Sequence, residues 1–387
     1  MNGGTAINQP EPAVYRFSAP GRTALGGNHT DHQHGCVLAA AVNLETVAEV
    51  TCNGTDLIRV DSEGYAPVTV DLADLAPREE EKNTTAALVR GIAADFVRRG
   101  AARHGFDAKI RSTVLPGSGL SSSAAFEVLR GAMLNELFFG GELGPVELAQ
   151  TGQWAENVYF GKPSGLMDQT ASAMGGLVFI DFKDPAHPIV DRVYFDFAEA
   201  EHALCIIDSG ADHIGLTEEY AAIPAEMQAV AAYFGKQVLR EVRESDFLAA
   251  LPELRKTVPD RAILRAMHYF REDRRVRMEV MALRNGCFEA FLELVQQSGQ
   301  SSWHYLQNIT PAGAGSNQPV ALALALCDSL LKGRGAFRVH GGGFAGTVQA
   351  FVPFDLLEEF RSGIDRVLGP GSCRVLTIRQ QGAGRTH

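Results

Sequence analysis

The residues between Leu115 and Phe126 combine glycines and serines immediately ahead of an apolar run. Their sequence is LPGSGLSSSAAF, and the apolar positions Phe126, Leu129, Met133 and Leu137 have the spacing of one helix face. We therefore expect a glycine-rich turn that leads into a helix. A helix N-terminus offers unpaired backbone N–H groups and the positive end of the helix dipole, and glycines let an anion approach the backbone.

The serines of this stretch extend that chemistry. Ser121, Ser122 and Ser123 fall in the first helical turn, where their hydroxyls can bind phosphate oxygens or Mg²⁺, a hard cation that prefers oxygen ligands. Together with Gly117 and Gly119 they would form a phosphate-binding loop. Glycine and serine are also common at ordinary helix N-caps, so the residues alone leave both interpretations open.

Two commoner nucleotide-binding motifs do not explain the chain. It contains no Walker G-x-x-x-x-G-K-[ST] sequence. The segment Gly341–Gly346 fits G-x-G-x-x-G, but the residues after it, Thr347–Pro353, alternate as in a strand. A dinucleotide-binding fingerprint must open a helix, so we do not expect a dehydrogenase.

A polar segment, Pro20–Gly35, separates two apolar runs near the start of the chain. Arg22 offers a planar fork of donors that suits phosphate, and Asp31 with its neighbouring histidines suits sugar hydroxyls. The residues His29, Asp31, His32 and His34 could instead bind a metal. Their spacing lacks the helical i, i+4 pairing or a distant third ligand set, which disfavours that reading. A plain solvated loop also stays open.

Asp168 lies in a second glycine-rich segment, Gly161–Gly176. Pro163 and Gly165 end the helix before it, and Asp168 falls in the first turns of a short helix that ends at Gly175. An acidic residue there either complements the helix dipole or takes part in chemistry. The residues alone do not decide between the two.

The composition restricts the class of protein. A net charge of −11 and a pI near 5.5 argue against nucleic-acid or anionic-membrane partners. The six cysteines show no C-x-x-C spacing, so we expect reduced thiols in a cytoplasmic protein. Met1–Val14 has neither the basic nor the apolar part of a signal peptide, and no apolar run is long enough to span a membrane.

The elements that must position these residues follow from periodicity and turn signals. With 387 residues, two domains are expected, with a turn-rich boundary at Lys183–Pro188. The charged stretch Phe270–Glu279 is interpreted as a solvated helix face. Predicted strands are Tyr15–Ala19, Cys36–Val50, Phe106–Val114, Leu177–Phe182, Ala203–Asp208, Gly335–Val339 and Thr347–Val352, and predicted helices include Asn83–Val97, Leu148–Tyr159, a stretch from Tyr220 to Val242, and Leu356–Val367.

Three motifs in this order resemble the GHMP small-molecule kinases. They are Pro20-Gly-Arg22 through Asn28-His-Thr-Asp31, then Gly117-Ser-Gly-Leu-Ser-Ser-Ser-Ala124, then Gly341-Gly-Gly-Phe-Ala-Gly346. Within that superfamily the first motif, together with Gly165-Leu-Met-Asp-Gln169, resembles the galactokinase family. The resemblance runs from about Phe17 to Val352.

The resemblance implies an α+β fold of two domains, residues 1–185 with a mixed sheet of the ribosomal-S5-like type and residues 186–387, with the active site between them. It implies transfer of the γ-phosphoryl group of ATP to the anomeric hydroxyl of galactose, with Mg²⁺. The implied partners are a small-molecule sugar and ATP, with no nucleic acid and no membrane, and the protein is expected to be a monomer.

The resemblance also assigns roles to individual residues. Asp168 matches the catalytic aspartate and Arg22 the active-site arginine, which would lower the pKa of the aspartate by its charge. The sugar would contact Asn28, His29, Asp31, Gly165 and Tyr220. The ATP phosphates would lie on Gly117, Ser118, Gly119, Leu120, Ser121, Ser122 and Ser123, with Ser122 near Mg²⁺, and the Gly341–Gly343 turn would support the site.

Three residues depart from the family pattern. The family usually has glutamate where this chain has Asn28, a threonine where it has His340, and its proline one residue before Pro116. Because asparagine carries no charge and both donates and accepts, galacturonate or N-acetylgalactosamine is an alternative substrate. A non-catalytic sugar and ATP sensor is a second alternative, which the presence of Arg22 and Asp168 disfavours.

Overall fold

A computed structural model describes residues 13–114, 119–212 and 214–386. The strands are β1 Val14–Gly26, β2 Cys36–Cys52, β3 Leu57–Ser62, β4 Val68–Asp71, β5 Phe106–Ser112, β6 Leu177–Asp181, β7 Ile189–Val193, β8 His202–Ala211, β9 Ala336–Val339, β10 Gly346–Pro353, β11 Cys373–Leu376 and β12 Gly384–Thr386. The helices are α1 Thr85–Arg98, α2 Ser122–Phe138, α3 Pro145–Ala155, α4 Met167–Met174, α5 Thr217–Tyr233, α6 Glu244–Leu254, α7 Asp260–Arg284, α8 Phe288–Ser301, α9 Pro319–Leu331 and α10 Leu357–Leu368.

Eight strands form the first sheet, in the order β12-β1-β2-β5-β3-β4, with β6 paired to β2 and β7 to β6. The sheet is mixed because β3 and β5 run parallel while the other pairs are antiparallel. We call this sheet and helices α1 to α4 the first domain. Its helices cover one face, where Leu129 and Met133 of α2 pack with Phe17, Val50 and Ile110 of the strands.

Strand β1 is longer than predicted and carries Arg22. Its pairing with β2 continues past two irregularities, between Pro20 and Arg22 and between Ala24 and Gly26. The residues opposite it on β2, Ala39–Ala41, are small and fully buried. Arg22 and Thr23 are buried here although they are polar. The polar composition of the segment therefore did not indicate that it forms a strand. Arg22 is therefore fixed on a sheet and not on a loop.

Four antiparallel strands form the second sheet, in the order β11-β8-β10-β9. With α5 to α10 it makes the second domain. Helices α9 and α10 cover one face, and α7 and α8 lie between the two sheets. Their buried apolar side chains share one cluster with Leu38 of the first sheet and Phe351 of the second. The two domains therefore meet over a continuous apolar core. The α+β fold class is as predicted.

Two sequence interpretations of the second half need correction. Helix α5 ends at Tyr233, not near Val242, because Gly235 adopts a positive φ of 67°. The stretch Phe270–Glu279 is not a solvated face, since Glu272 and Glu279 are fully buried and Arg275 nearly so. Helix α7 lies between the two sheets, and its buried glutamate Glu272 is compensated by Arg275.

The division predicted at residue 185 stays a prediction. Strand β7 and strand β12 both follow that position, yet each pairs with a strand of the first sheet. Across the parts of the chain that the structure describes, no helix is long and apolar enough to cross a membrane.

Candidate active site

An ion pair joins strand β1 to helix α4. Arg22 donates from Nε to Oδ1 of Asp168 over 2.6 Å and from Nη2 to Oδ2 over 2.8 Å. This two-pronged geometry is the strongest that arginine makes with a carboxylate. The two residues are 146 positions apart in the sequence, and the packing of α4 against β1 brings them together.

The ion pair keeps Asp168 ionised. Burial acts to raise the pKa of this carboxyl, but the charge and hydrogen bonds of Arg22 and a hydrogen bond from Ser121 outweigh it, so the pKa lies below its usual range. Ser121 donates its hydroxyl to Asp168 Oδ2 over 2.6 Å. Asp168 is 30% exposed as a side chain and Arg22 10%, so the carboxylate still faces the cleft.

The described part of the predicted phosphate loop, from Gly119 onward, also contacts Arg22. Gly117 and Ser118 lie outside the described residues. Arg22 donates from Nη1 to the Gly119 carbonyl over 2.7 Å and from its backbone N–H to the Leu120 carbonyl over 3.0 Å. Ser121 is the N-cap of α2 and has a positive φ of 58°, a strained conformation for a residue other than glycine.

Helix α2 begins at Ser122, one residue later than predicted, because Ser121 is its N-cap and not part of its first turn. No hydrogen-bond partner of the Ser122 or Ser123 hydroxyl is found within residues 13–114, 119–212 and 214–386. The first turn of α2 therefore presents two hydroxyls that no described residue binds, next to Ser121 and its bond to Asp168. With the positive end of the helix dipole, this arrangement suits an anion such as a phosphate group.

The segment from Gly27 to Gly35 forms the other wall of the site. Asp31 begins a short 3-10 turn, Asp31–Gln33, and accepts no hydrogen bond from any other side chain that the structure describes. Burial raises its pKa, and the nearby charge of Asp168 adds to the effect. A Cβ on Gly165 would lie 2.8 Å from Asp31 Oδ2. Because Gly165 has no side chain, the Asp31 carboxylate can occupy this space.

Three predicted sugar-site residues bind consecutive carbonyls of the glycine turn. Asn28 donates from Nδ2 to the Gly341 carbonyl over 2.6 Å, His29 Nε2 lies 3.0 Å from the Gly342 carbonyl, and the Tyr220 hydroxyl donates to the Gly343 carbonyl over 2.8 Å. Through the Asn28 and His29 contacts the second domain holds the segment that contains the predicted sugar-site residues.

A short chain of side chains runs behind His29. His29 Nδ1 lies 3.3 Å from His32 Nε2, and Gln33 Nε2 lies 3.4 Å from His32 Nδ1. Burial lowers the pKa of His29 to about 4 and that of His32 to about 3, so both rings are neutral. Since the Gly342 carbonyl only accepts, His29 is protonated at Nε2 and accepts at Nδ1 from His32.

The histidines do not assemble a metal site. Among the residues that the structure describes, no group of three or more His, Cys, Asp or Glu side chains could hold a metal ion. His34 ends the 3-10 turn with a positive φ of 58°, and His32 points its Nε2 at His29. The segment therefore serves as a hydrogen-bonded wall.

Comparison with known proteins places these features in a family. The model of the GHMP kinase N-terminal domain matches residues 87–176, and the galactokinase galactose-binding signature matches residues 5–52. The galactokinase of Streptomyces coelicolor is 33% identical over 341 residues, which is 87% of this chain and 84% of that protein. The chain belongs to the galactokinase family.

Solved structures agree with the family. The Lactococcus lactis galactokinase, crystallised with galactose, superposes with a TM-score of 0.80 at 25% identity and covers 96% of this chain and 95% of its own. The Methanococcus jannaschii mevalonate kinase has a TM-score of 0.67 at 14% identity, over 95% of this chain and 99% of its own. The second match shows the shared fold alone.

Asn28, where the galactokinase family usually has glutamate, is buried in the domain interface. Its Oδ1 accepts from Asn308 Nδ2 over 2.9 Å and from Ser302 Oγ over 3.3 Å. Because Asn28 donates one hydrogen of its side-chain amide to the Gly341 carbonyl, at most one N–H of this side chain remains for a substrate. Its backbone is held too, by Glu272 at the N–H and by His268 at the carbonyl.

Sequence reasoning missed a cavity of ≈ 450 Å³ beside Ser122 and Ser123. Its remaining walls come from β2, β3, β5, α1 and α2 and the segments next to them, and are mainly apolar. Because these residues come from five separate elements, no spacing in the sequence could reveal them. The cavity is lined, among others, by Ser62, Asn83, Leu88, Ile110, Ser112 and Phe126.

A buried polar cluster behind Asp168 was also missed. Gln169 donates from Nε2 to Glu127 Oε2 and to Glu156 Oε2, both over 3.0 Å, and Lys162 donates to Glu156 Oε1 over 3.0 Å. These bonds tie α4, which carries Asp168, to α2 and to the end of α3. The Met-Asp-Gln sequence thus fixes Asp168 through Gln169, the residue that follows it.

Proposed function

We propose that the protein is a galactokinase, which transfers the γ-phosphoryl group of ATP to the anomeric hydroxyl of galactose. The observation that carries this proposal is the arrangement of Arg22, Asp168 and Ser121. It joins an ionised carboxylate and a phosphate-binding cation at the N-terminus of α2, with the sugar segment opposite. Membership of the galactokinase family supports it.

Phosphoryl transfer needs positioning and charge stabilisation more than covalent chemistry. Arg22 contacts both the aspartate and the loop that would hold the phosphates, so it stabilises negative charge where it develops. Asp168, ionised and hydrogen-bonded, is a weak base. It orients the anomeric hydroxyl and accepts its proton late in the transfer, when that oxygen has become more acidic.

The residues present fit Mg²⁺. The hydroxyl of Ser122 is unpartnered among the described residues, and Asp168 supplies a carboxylate across the same site, linked through Ser121. Oxygen ligands of this kind suit a hard cation. Ser122 would hold the ion with the phosphates, and the ion would supply neutralising charge at the phosphate oxygens.

The missed cavity is a suitable place for the adenine ring. It opens beside the first turn of α2, where the phosphates would lie, and Leu88, Ile110 and Phe126 supply apolar surface. Ser62, Asn83 and Ser112 add polar groups at its rim. ATP would thus extend from this cavity over the turn of α2 toward Arg22.

The charges around the sugar segment favour a neutral sugar. Asp31 and Asp168 interact with each other electrostatically, and a uronate carboxylate placed between them would be repelled. Asn28 does not relieve that repulsion, since its amide is bound to Gly341, Asn308 and Ser302. Galactose therefore fits the site better than galacturonate.

We also propose that the protein works in the cytoplasm as a monomer. All six cysteines are free thiols, four of them buried, which fits a reducing compartment. Size-exclusion chromatography with light scattering tests the monomer directly.

An ADP-release assay over galactose, galacturonate, N-acetylgalactosamine, glucose and arabinose tests the function. We expect galactose to give the highest kcat/KM, and ³¹P NMR to show the product phosphorylated at the anomeric oxygen. ATP binding without ADP release on any sugar would replace the proposal with a sensor. Faster turnover of another sugar would support the proposed phosphoryl transfer but would replace galactose as the substrate.

A further inference from the structure

His340 lies at the point where the second domain meets the catalytic strand. It follows β9, is 2% exposed, and its two ring nitrogens contact two threonines on different strands. Nδ1 is 2.9 Å from Thr347 Oγ1 at the start of β10, and Nε2 is 3.0 Å from Thr23 Oγ1 on β1. Gln349 of β10 donates to the same Thr23 hydroxyl over 2.8 Å.

The ring also packs against the phosphate loop. A Cβ on Gly119 would lie 3.0 Å from His340 Nδ1 and 2.8 Å from Thr347 Oγ1. Arg22 binds the carbonyl of the same residue. The loop backbone at Gly119 therefore contacts both Arg22 and the His340–Thr347 pair.

We propose that His340 is a positioning residue for the phosphate side of the site. It fixes the strand that carries Arg22 and the backbone of Gly119 to the second domain, so that Arg22 meets the phosphates at the distance the transfer needs. The inference rests on the proposed kinase function, and it explains why a ring with two nitrogens stands where the family usually has threonine. One hydroxyl on a short side chain could not reach both Thr23 and Thr347.

The neutral ring suits this role because one ring nitrogen donates a hydrogen bond and the other accepts one. A threonine hydroxyl can both donate and accept, so either tautomer of His340 can bind both threonines. Burial lowers the pKa of His340 to about 3, and the positive charges of Arg22 and Arg338 add to the effect, against the opposing charge of Asp168. The ring therefore adds no charge near the phosphates at neutral pH.

The test is a set of His340 variants with separate KM values for ATP and sugar. His340→Ala leaves the two buried threonines without their ring partner, and we expect KM for ATP to rise about tenfold and kcat to fall about tenfold, with KM for galactose changed less than twofold. His340→Asn places an amide near the Nδ1 position and is expected to restore KM for ATP better than His340→Gln, whose amide lies nearer to the Nε2 position.

His268 provides a matched control on the sugar side. It is also fully buried and uses both ring nitrogens, at 2.9 Å from Ser301 Oγ and 2.8 Å from the Asn28 carbonyl. His268→Asn should raise KM for galactose and leave KM for ATP within twofold. Equal changes in both KM values in the His340 variants, or no change in KM for ATP, would overturn the proposal.

Two further measurements test the inference if galactose is not the substrate or if one variant does not fold. Binding of a non-hydrolysable ATP analogue, measured by calorimetry, reports the nucleotide side even if galactose proves to be the wrong substrate. If His340→Ala does not fold, Thr347→Val removes the Nδ1 partner while the ring stays in place. We expect the analogue to bind Thr347→Val several-fold more weakly, and unchanged binding would contradict the role of the pair.

Discussion

The two walls of the cleft are held in different ways. Arg22 and Asp168 bind each other, Ser121 and Gly119, all within the first domain. The sugar segment 27–35 is held from the second domain instead, through backbone bonds to Glu272 and His268, the glycine-turn carbonyls, and a bond from Leu239 to Gln33. The bonds within the proposed catalytic pair are all made inside the first domain, whereas most bonds that hold segment 27–35 cross the interface.

We expect the two walls to control different kinetic properties. A charge pair with bonds of 2.6 and 2.8 Å must keep a fixed geometry, and a single sheet provides it through β1 and the helices packed on it. The sugar segment is held by the second domain, so its geometry depends on how the two domains pack together. Changes on the first wall should therefore lower kcat, and changes on the second should raise KM for the sugar.

The largest effect is expected at Asp168. Asp168→Asn keeps the shape but removes the base and the negative partner of Arg22, so kcat should fall on the order of 10²-fold or more. KM for the sugar and for ATP should change only a few-fold, because the other contacts remain. Steady-state kinetics with both substrates varied measure the split.

A matched control is Asp184→Asn. Asp184 is an exposed acid on a turn, bonded only within its own turn at Ala186 and His187, and its variant should keep the native kcat. If Asp168→Asn retained near-native kcat, or lost sugar affinity as its main defect, the division between a catalytic wall and a sugar wall would fail.

The local parts of this picture could be predicted from the sequence. The start of α2 at Ser122 and the short helix that carries Asp168 follow from glycine, proline and apolar spacing, which act over a few residues. The bond between Arg22 and Asp168 spans 146 positions, and only the family resemblance placed the two residues in one site. No local pattern carries that information.

The sugar wall was harder to predict, because its partners come from distant elements. Nothing near Asn28 in the sequence indicates that Ser302 and Asn308 bind its amide. The charges of α7 gave the wrong interpretation, since their spacing is typical of a solvated helix. Glu272 can be buried because it accepts from the backbone N–H groups of Gly27 and Asn28 and from Ser298, and pairs with Arg275. That geometry exists only in the fold.

An intermediate effect is expected from Gly165→Ala. Its φ lies outside the region that favours glycine, so alanine fits the backbone, but the new Cβ would lie 2.8 Å from Asp31 Oδ2. Overpacking of this kind typically costs about 1–3 kcal/mol. Since Asp31 must turn away from the cleft, we expect KM for galactose to rise about tenfold with kcat and KM for ATP nearly unchanged.

Gly384→Ala is the matched control for this substitution. A Cβ there would meet nothing within 4 Å, so the variant should behave as the native enzyme. A Gly165→Ala enzyme with normal sugar KM would show that Asp31 does not contact the sugar. Loss of ATP affinity would show instead that the sugar and phosphate walls are mechanically coupled.

The smallest effect concerns the interface that supports the sugar wall. Glu279 of α7 is fully buried, and neither carboxyl oxygen has a hydrogen-bond partner among the described residues. Burial raises its pKa from 4.5 to about 8, and the charge of Glu272 adds to the effect while Arg338 and Arg275 oppose it. Glu272, which lies earlier in the same helix, has the opposite shift. The charges of Arg275, His268 and Arg338 overcome the effect of burial and lower its pKa to about 2.

These two glutamates predict opposite contributions to stability as the pH changes. Between pH 4.5 and about 8 the folded protein keeps a proton on Glu279 that the unfolded chain has released, so its contribution to stability falls as the pH rises, by at most about 1.4 kcal/mol per pH unit. For Glu272 the contribution is complete above pH 4.5 and is lost only as the pH falls toward 2. Glu279→Gln should therefore remove the negative slope that Glu279 gives the melting temperature between pH 7 and 8. The buried histidines of the cleft, whose ordinary pKa is 6.5, contribute the same slope to the native protein and to the variant, so they do not affect the difference. Glu272→Gln should lower the melting temperature at every pH in that window without changing its slope.

Calorimetry of the native protein and the two variants at pH 7.0, 7.5 and 8.0, chosen on the basis of those pKa values, gives the comparison. An unchanged slope in Glu279→Gln would mean that Glu279 is ionised in the folded protein, and the interface beneath the sugar wall would then hold a compensated charge where we infer a neutral acid.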